Sequence, residues 1–145
     1  DLSYVVCGGL GGFGLELADW LVLRGARKIV MSSSRGISKP YQAYRIKIWE
    51  QYGVKVVVNT ENISTRKGCE ALLQAACKLG PVGGIYNLAV QLRDSIFENQ
   101  TVERFVECMG PKALATKYLD ELSRKMCPQL GYFVVFSSVS CGRGN

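Results

Sequence analysis

Apolar residues along this chain recur at two spacings. Short, nearly unbroken apolar runs occur at Ser3 to Cys7, Lys28 to Ser32, Val54 to Val58, Gly83 to Asn87 and Tyr132 to Phe136. They are rich in Val, Ile, Tyr and Phe and bounded by polar or glycine-containing segments, which is how strands buried on both faces read. Between them the spacing turns helical. Gly12 to Arg24 carries Leu15, Leu17, Ala18, Leu21 and Val22 on one face, with Gly25 following as a terminating glycine. Tyr41 to Tyr52, after Pro40, carries Ala43, Ile46, Ile48 and Trp49 and stops at Gly53. Ser64 or Thr65 caps a third helix, with Ala71, Leu72, Ala75 and Ala76 on its apolar side, broken by Gly80-Pro81. After a loop from Leu88 to Gln100, Thr101 caps a helix containing Phe105 and Val106. Gly110-Pro111 is expected to bend or restart it before Lys112 to Met126.

Strands thus alternate with helices, the signature of a parallel sheet covered on both faces. Right-handed crossovers make the expected fold class α/β, a doubly wound parallel sheet of Rossmann type in the order 3-2-1-4-5. Residues 1–145 read as one domain, the cofactor-binding portion of something longer, because the chain starts almost on a core strand and ends in a glycine-rich stretch.

Composition changes this picture little. The 145 residues are 48% hydrophobic and 21% charged, ordinary for a globular domain, and no run is long enough for a membrane span. The net charge of +6 comes without a lysine/arginine run, so nucleic acid is not an expected partner, while an anionic ligand would benefit from the field. Six cysteines, no C-x-x-C pair and no histidine argue against a metal site and for reduced thiols in a cytoplasmic protein.

The candidate chemistry starts at Gly8-Gly9-Leu10-Gly11-Gly12-Phe13-Gly14, between the first strand and first helix. Glycine lets the backbone approach a ligand, and a helix N-terminus offers unpaired N–H groups to a pyrophosphate. A glycine turn without a ligand is the competing reading. The end of the second strand has Ser32, Ser33, Ser34 and Arg35 and no carboxylate. An acidic residue there would hold the ribose 2′-hydroxyl of NAD, whereas hydroxyls and a guanidinium suit a 2′-phosphate, so the expected cofactor is NADPH. The alternative is a solvated serine-rich loop. By position, Asn62 and Ile63 after the third strand would reach the adenine, and Asn87, Leu88 and Ala89 would lie under the riboses. Reducing a carbonyl by hydride needs a proton donor and a group that fixes the oxygen. Ser138, past the fifth strand, and Lys112 are the candidates; a turn serine and a surface lysine are the rival readings.

The stretch Cys7 to Ala18 resembles the opening of a ketoreductase domain of the short-chain dehydrogenase/reductase superfamily. More narrowly, the chain resembles the β-ketoacyl reductase domain of animal fatty acid synthase. The resemblance rests on Trp20 to Ala26, Leu79 to Gly84, Leu92-Arg93-Asp94, Glu98 to Thr101, Pro111-Lys112 and Phe136 to Asn145. It implies NADPH-dependent reduction of a 3-ketoacyl thioester held on an acyl carrier protein, within a longer, homodimeric, cytosolic synthase. A polyketide synthase ketoreductase is the alternative within that class. The resemblance also implies that Ser138 orients the carbonyl and that Lys112 supports a tyrosine which, with an asparagine, falls past Asn145. The 145 residues alone are therefore expected not to reduce a ketone. The family usually has Thr at Cys7, Ser-Arg-Ser where Ser33-Ser34-Arg35 stand, and often Asp at Asn62. A non-catalytic or NADPH-sensing domain and a methyltransferase are the readings from other classes.

Overall fold

The computed structural model describes residues 1–143. Five parallel strands form one sheet: β1 (Ser3–Cys7), β2 (Lys28–Ser32), β3 (Lys55–Asn59), β4 (Val82–Asn87) and β5 (Tyr132–Val135). Their spatial order is β3-β2-β1-β4-β5, as the alternating pattern predicts. The chain reverses its winding between β3 and β4, so β1 and β4 are neighbours whose connections leave in opposite directions. That arrangement opens a crevice at the carboxyl ends of β1 and β4.

Side chains on successive strand residues point to opposite faces, and each face has its own core. On one face, Val6, Ile29 and Met31 meet Leu15, Ala18, Leu21 and Trp49 from α1 (Gly12–Leu23) and α2 (Pro40–Gln51). On the other, Val5, Cys7, Val30 and Ile85 meet Leu72, Leu73 and Leu119 from α3 (Arg66–Leu79) and α5 (Ala115–Met126). Each fully buried leucine contributes on the order of 2 kcal/mol of apolar transfer. Across α1 and α2, Arg45 pairs with Glu16 and Asp19, and Asp19 accepts from the Trp49 indole at 2.9 Å.

The differences from the sequence expectation are local. Helix α2 starts at Pro40, β3 is shifted by one residue, and α3 is capped by Thr65, whose hydroxyl accepts from the Gly68 N–H at 3.1 Å. Ser64 stands one residue before the cap, and its N–H donates to the Asn62 side chain. A 3-10 turn at Phe97–Asn99 interrupts the loop after β4, and a single helical turn, α6 (Ser140–Arg143), follows β5. Gly110-Pro111 does not break the helix. Helix α4 (Val102–Met109) passes through a π-helical turn, Gly110–Leu114, directly into α5. Proline supplies no N–H, and a widened turn absorbs that missing bond without stopping the helix. All six cysteines are free thiols. No helix among the described residues is long and apolar enough to cross a membrane.

Candidate active site

Backbone bonds at the carboxyl ends of the strands assemble the site. The N–H groups of Gly8 and Gly9 both donate to the Ser32 carbonyl, at 2.9 and 3.2 Å, so the glycine turn is tied to the end of β2. Ser33 donates to the Asn59 carbonyl at 3.0 Å, Leu88 to that of Cys7 at 3.0 Å, and Phe136 to that of Asn87 at 3.0 Å. Each loop leaving the sheet is thereby pinned to its neighbour.

Two glycines are dictated by geometry. Gly8 has φ of +73°, and a Cβ there would stand 3.0 Å from the Ala89 backbone. Gly14 lies where α1 crosses the turn; a Cβ would come within 2.5 Å of the Gly8 carbonyl oxygen. Gly11 is the N-cap of α1 and has no side chain to cap with. The first N–H groups of α1 are therefore left to a ligand.

A groove of about 760 Å³ runs across these ends. It gathers Gly8, Gly11, Ser33, Ser34, Arg35, Asn62, Ile63, Leu88 and Ala89. The remaining expected cofactor residues stand otherwise. Gly9 and Leu10 are buried beneath the turn, Gly12 is exposed, and Gly14 is buried in the helix contact. Phe13 is exposed and packs edge-on against Phe136, with ring centroids 5.4 Å apart. Asn87 is fully buried, and its amide is committed within the chain: Nδ2 donates to the Pro111 carbonyl and the Thr116 hydroxyl, and Oδ1 accepts from the Ala89 N–H. Asn87 thus holds the π-helical turn against the end of β4. Asn62 spends its side-chain oxygen on its own turn. The groove has a polar wall, no acidic group at the end of β2, and a glycine floor. With Glu61 and Glu107 also on the lining, these features fit a nicotinamide dinucleotide.

A second cleft, of about 800 Å³, adjoins the groove and shares Leu88 and Val90 with it. Lys112, Ser138, Phe13 and Phe136 line it. The Lys112 ammonium donates to the carbonyls of Asn87, at 3.1 Å, and Phe136, at 2.9 Å, bridging the ends of β4 and β5. Burial lowers the Lys112 pKa from its ordinary value, against a smaller opposing effect of Cys7. The Ser138 hydroxyl accepts from the Ser140 N–H at 3.2 Å and is 2.6 Å from the Ser140 hydroxyl. The structure brings Lys112 and Ser138 to one cleft without a bond between them. Gly144 and Asn145, which end the family-like stretch, lie outside the described residues.

Sequence reasoning passed over several residues here. Gln91, Arg93 and Val106 line the groove, with Arg93 paired to Glu107 at its edge. Gln42 reaches the glycine turn from α2. Arg93 stands in the family-like stretch Leu92-Arg93-Asp94 without a role assigned there, and Gln42, Gln91 and Val106 are placed at the site only by the fold.

A parallel sheet wound on both faces, with a glycine turn after β1, belongs to the α/β class whose ligands bind in the crevice at the winding reversal. Residues 3–145 match the family model described as "KR domain", and the chain belongs to this ketoreductase domain family, of the short-chain dehydrogenase/reductase type. It is 32% identical over 143 residues to Highly reducing polyketide synthase 40 of Fusarium pseudograminearum, covering 97% of this chain and 6% of that protein. It is 33% identical over 146 residues to the polyketide synthase-nonribosomal peptide synthetase pyiS of Pyricularia grisea, covering 100% of this chain and 4% of the relative. Among solved structures, it superposes on an N-terminal ketoreductase from the macrolactin assembly line with a TM-score of 0.89 and 27% identity, over 100% of this chain and 30% of that one. An A-type ketoreductase from a modular polyketide synthase gives 0.87 and 30%, over 99% and 30%. The chain thus spans a small part of each relative. These relatives are polyketide synthases, so the family match extends to a ketoreductase domain and not to the animal fatty acid synthase type specifically.

Proposed function

We propose that this domain serves NADPH-dependent reduction of a 3-ketoacyl thioester to the 3-hydroxyacyl product, as one station of a carrier-protein-dependent synthase. The observation that carries the proposal is the adjacency of two sites. Lys112 and Ser138 line a cleft continuous with a groove that has a glycine floor and Ser33, Ser34 and Arg35 on its wall. NADPH, when bound, supplies the hydride. The backbone N–H groups at the start of α1 receive the pyrophosphate, and the Ser33–Arg35 loop receives the 2′-phosphate. The Ser138 hydroxyl donates to the ketone oxygen and fixes its position as negative charge grows there. Lys112 supplies positive charge close to the end of β5, lowering the pKa of an acid that protonates the oxygen.

The polyketide synthase reading has the support of relatives 31–33% identical across almost the whole chain. Fatty acid synthase remains a second reading, favoured by Glu98 to Thr101 and the segment after Phe136. Both place the same reaction at C3 of a chain on an acyl carrier protein, in a parent protein that is homodimeric and cytosolic.

Dinucleotide binding tests the core of the proposal. Titration of the chain with NADPH, followed by nucleotide fluorescence, is expected to saturate, with NADH about tenfold or more weaker. Replacing Arg35 with Ala is expected to cut NADPH affinity by roughly ten- to a hundredfold, the range of a hydrogen bond to a charged group, and to leave NADH unchanged. Equal affinity for NADPH and NADH in the wild-type chain would overturn the assignment of the Ser33–Arg35 loop. Binding of S-adenosylmethionine in preference to either would overturn the reaction class.

A further inference from the structure

Gln42 is the third residue of α2 and is buried, with only 8% of its surface exposed. Neither the phosphate grip nor the reaction cleft uses it directly. Its amide is nevertheless shared between the two segments, the glycine turn and the loop after β2, that contribute residues to the cofactor groove. Nε2 donates to the Leu10 carbonyl at 2.9 Å, in the middle of the glycine turn. Oε1 accepts from the N–H groups of Ser38, at 2.8 Å, and Lys39, at 3.0 Å, at the far end of the loop that begins with Ser33. The near end of that loop is pinned by the Ser33 bond to Asn59 and closed by Gly36 donating to Ser33 at 3.0 Å. Beside the Gly8 and Gly9 bonds to Ser32, this side chain is therefore a second tie, at the far end of the loop, between the turn that would meet the pyrophosphate and the loop that would meet the 2′-phosphate.

We infer that Gln42 is a positioning residue for cofactor selectivity. Its amide locks the Ser33–Lys39 loop to the glycine turn, so that both phosphate groups of NADPH are gripped at one fixed spacing. The inference rests on the NADPH reading. Its physical basis is preorganisation. Ser34 and Arg35 are exposed, and Arg35 forms no ion pair among the described residues. A guanidinium on a free loop would lose much of its binding energy to ordering, whereas a loop already held in place loses less. An amide alone can do this work from position 42, because it must donate to a carbonyl and accept from two N–H groups at once.

Two substitutions separate the two halves of the amide. Gln42→Glu keeps the acceptor for Ser38 and Lys39, at a helix N-terminus where negative charge is favoured, and loses the donor to Leu10. Because the tie to the turn is gone, it is expected to weaken NADH by a few-fold and NADPH by about tenfold more, the equivalent of one buried hydrogen bond. Gln42→Met keeps the length and loses both halves. It is expected to weaken NADH by a similar factor and NADPH by about tenfold more, so that the NADPH-over-NADH preference falls by that factor. Titrations of the wild-type chain and both variants, each beside a circular dichroism melt, read the outcome. A cooperatively folded Met variant that keeps the wild-type preference would overturn the inference while leaving the NADPH reading intact. If the Met variant does not fold, the Glu variant decides: a fall in the NADPH-over-NADH preference supports the inference and an unchanged preference overturns it. A wild-type chain that binds neither dinucleotide would overturn the NADPH reading, and this inference with it.

Discussion

At the scale of single residues, the glycine turn shows how steric need and ligand access coincide. Gly14 has no room for a methyl group, because its ideal Cβ would lie 2.5 Å from one carbonyl oxygen and 2.6 Å from another. Neither contact is with the end of a flexible side chain, so relief requires α1 to move away from β1. Gly14→Ala is therefore expected to destabilise the domain by about 1–3 kcal/mol, as overpacking does, and to abolish measurable NADPH binding. A urea melt and a nucleotide titration check the two effects. A variant with wild-type stability and affinity would mean that the turn adapts freely. The sequence made this glycine visible, since its spacing from Gly9 and Gly11 follows a pattern with a mechanical meaning. It made Ser33, Ser34 and Arg35 visible too, because the end of β2 is a defined position. It could not make Gln42 visible. The partner of that side chain is 32 positions away, and a glutamine near a helix start reads as a surface residue.

At the scale of elements, the passage from β4 to α5 carries the reaction cleft. The five strands were legible because strands buried on both faces read as apolar runs, and the helices because their apolar faces repeat near every turn. The π-helical turn was not legible. Gly110-Pro111 reads as a break, whereas the widened turn absorbs the N–H that Pro111 lacks and α4 runs on into α5. That turn carries Lys112, and Asn87 fixes the turn through Pro111 and Thr116. Asn87 was expected beneath the riboses; its side chain is turned instead to this internal anchorage, and Leu88 and Ala89 line the groove. Asn87→Ala would leave the Pro111 carbonyl, the Thr116 hydroxyl and the Ala89 N–H without this partner in a buried region. The expected cost is on the order of 3 kcal/mol of stability. If the domain has the proposed function, ketone turnover by the full protein is expected to fall by a larger factor than NADPH affinity, because Lys112 shifts while the glycine turn does not. Equal losses in both would show that Asn87 serves only the overall fold.

At the scale of the whole molecule, the buried thiols couple folding to alkaline pH. Cys7 lies at the end of β1 with none of its surface exposed, between the sheet and α3. Its thiol is pushed from the ordinary 9.0 up to about 12, by burial first and by Cys69 second, with the Lys112 ammonium opposing both. Cys69 is likewise raised by burial, to about 11, and Cys127 by burial and the neighbouring Cys77, to about 12. For each, the folded pKa exceeds the unfolded one. The stabilising contribution is therefore complete below pH 9 and is lost as the pH rises toward the folded value, because the unfolded chain releases the proton first. For Cys7 the full interval corresponds to about 4 kcal/mol near pH 12. Lysines and tyrosines titrate in the same range, so the wild-type profile alone does not isolate a thiol. Comparison with Cys7→Ala does, since every other group is common to both chains. The variant is expected to be less stable by about 1 kcal/mol at pH 8, the usual cost of a single substitution. Its disadvantage should shrink through pH 9 to 11 and reverse as the wild-type thiol is forced to ionise on unfolding. Urea melts at unit intervals of pH measure the difference. A gap that stays constant from pH 8 to 11 would show that the Cys7 thiol ionises as readily in the folded core as in the unfolded chain.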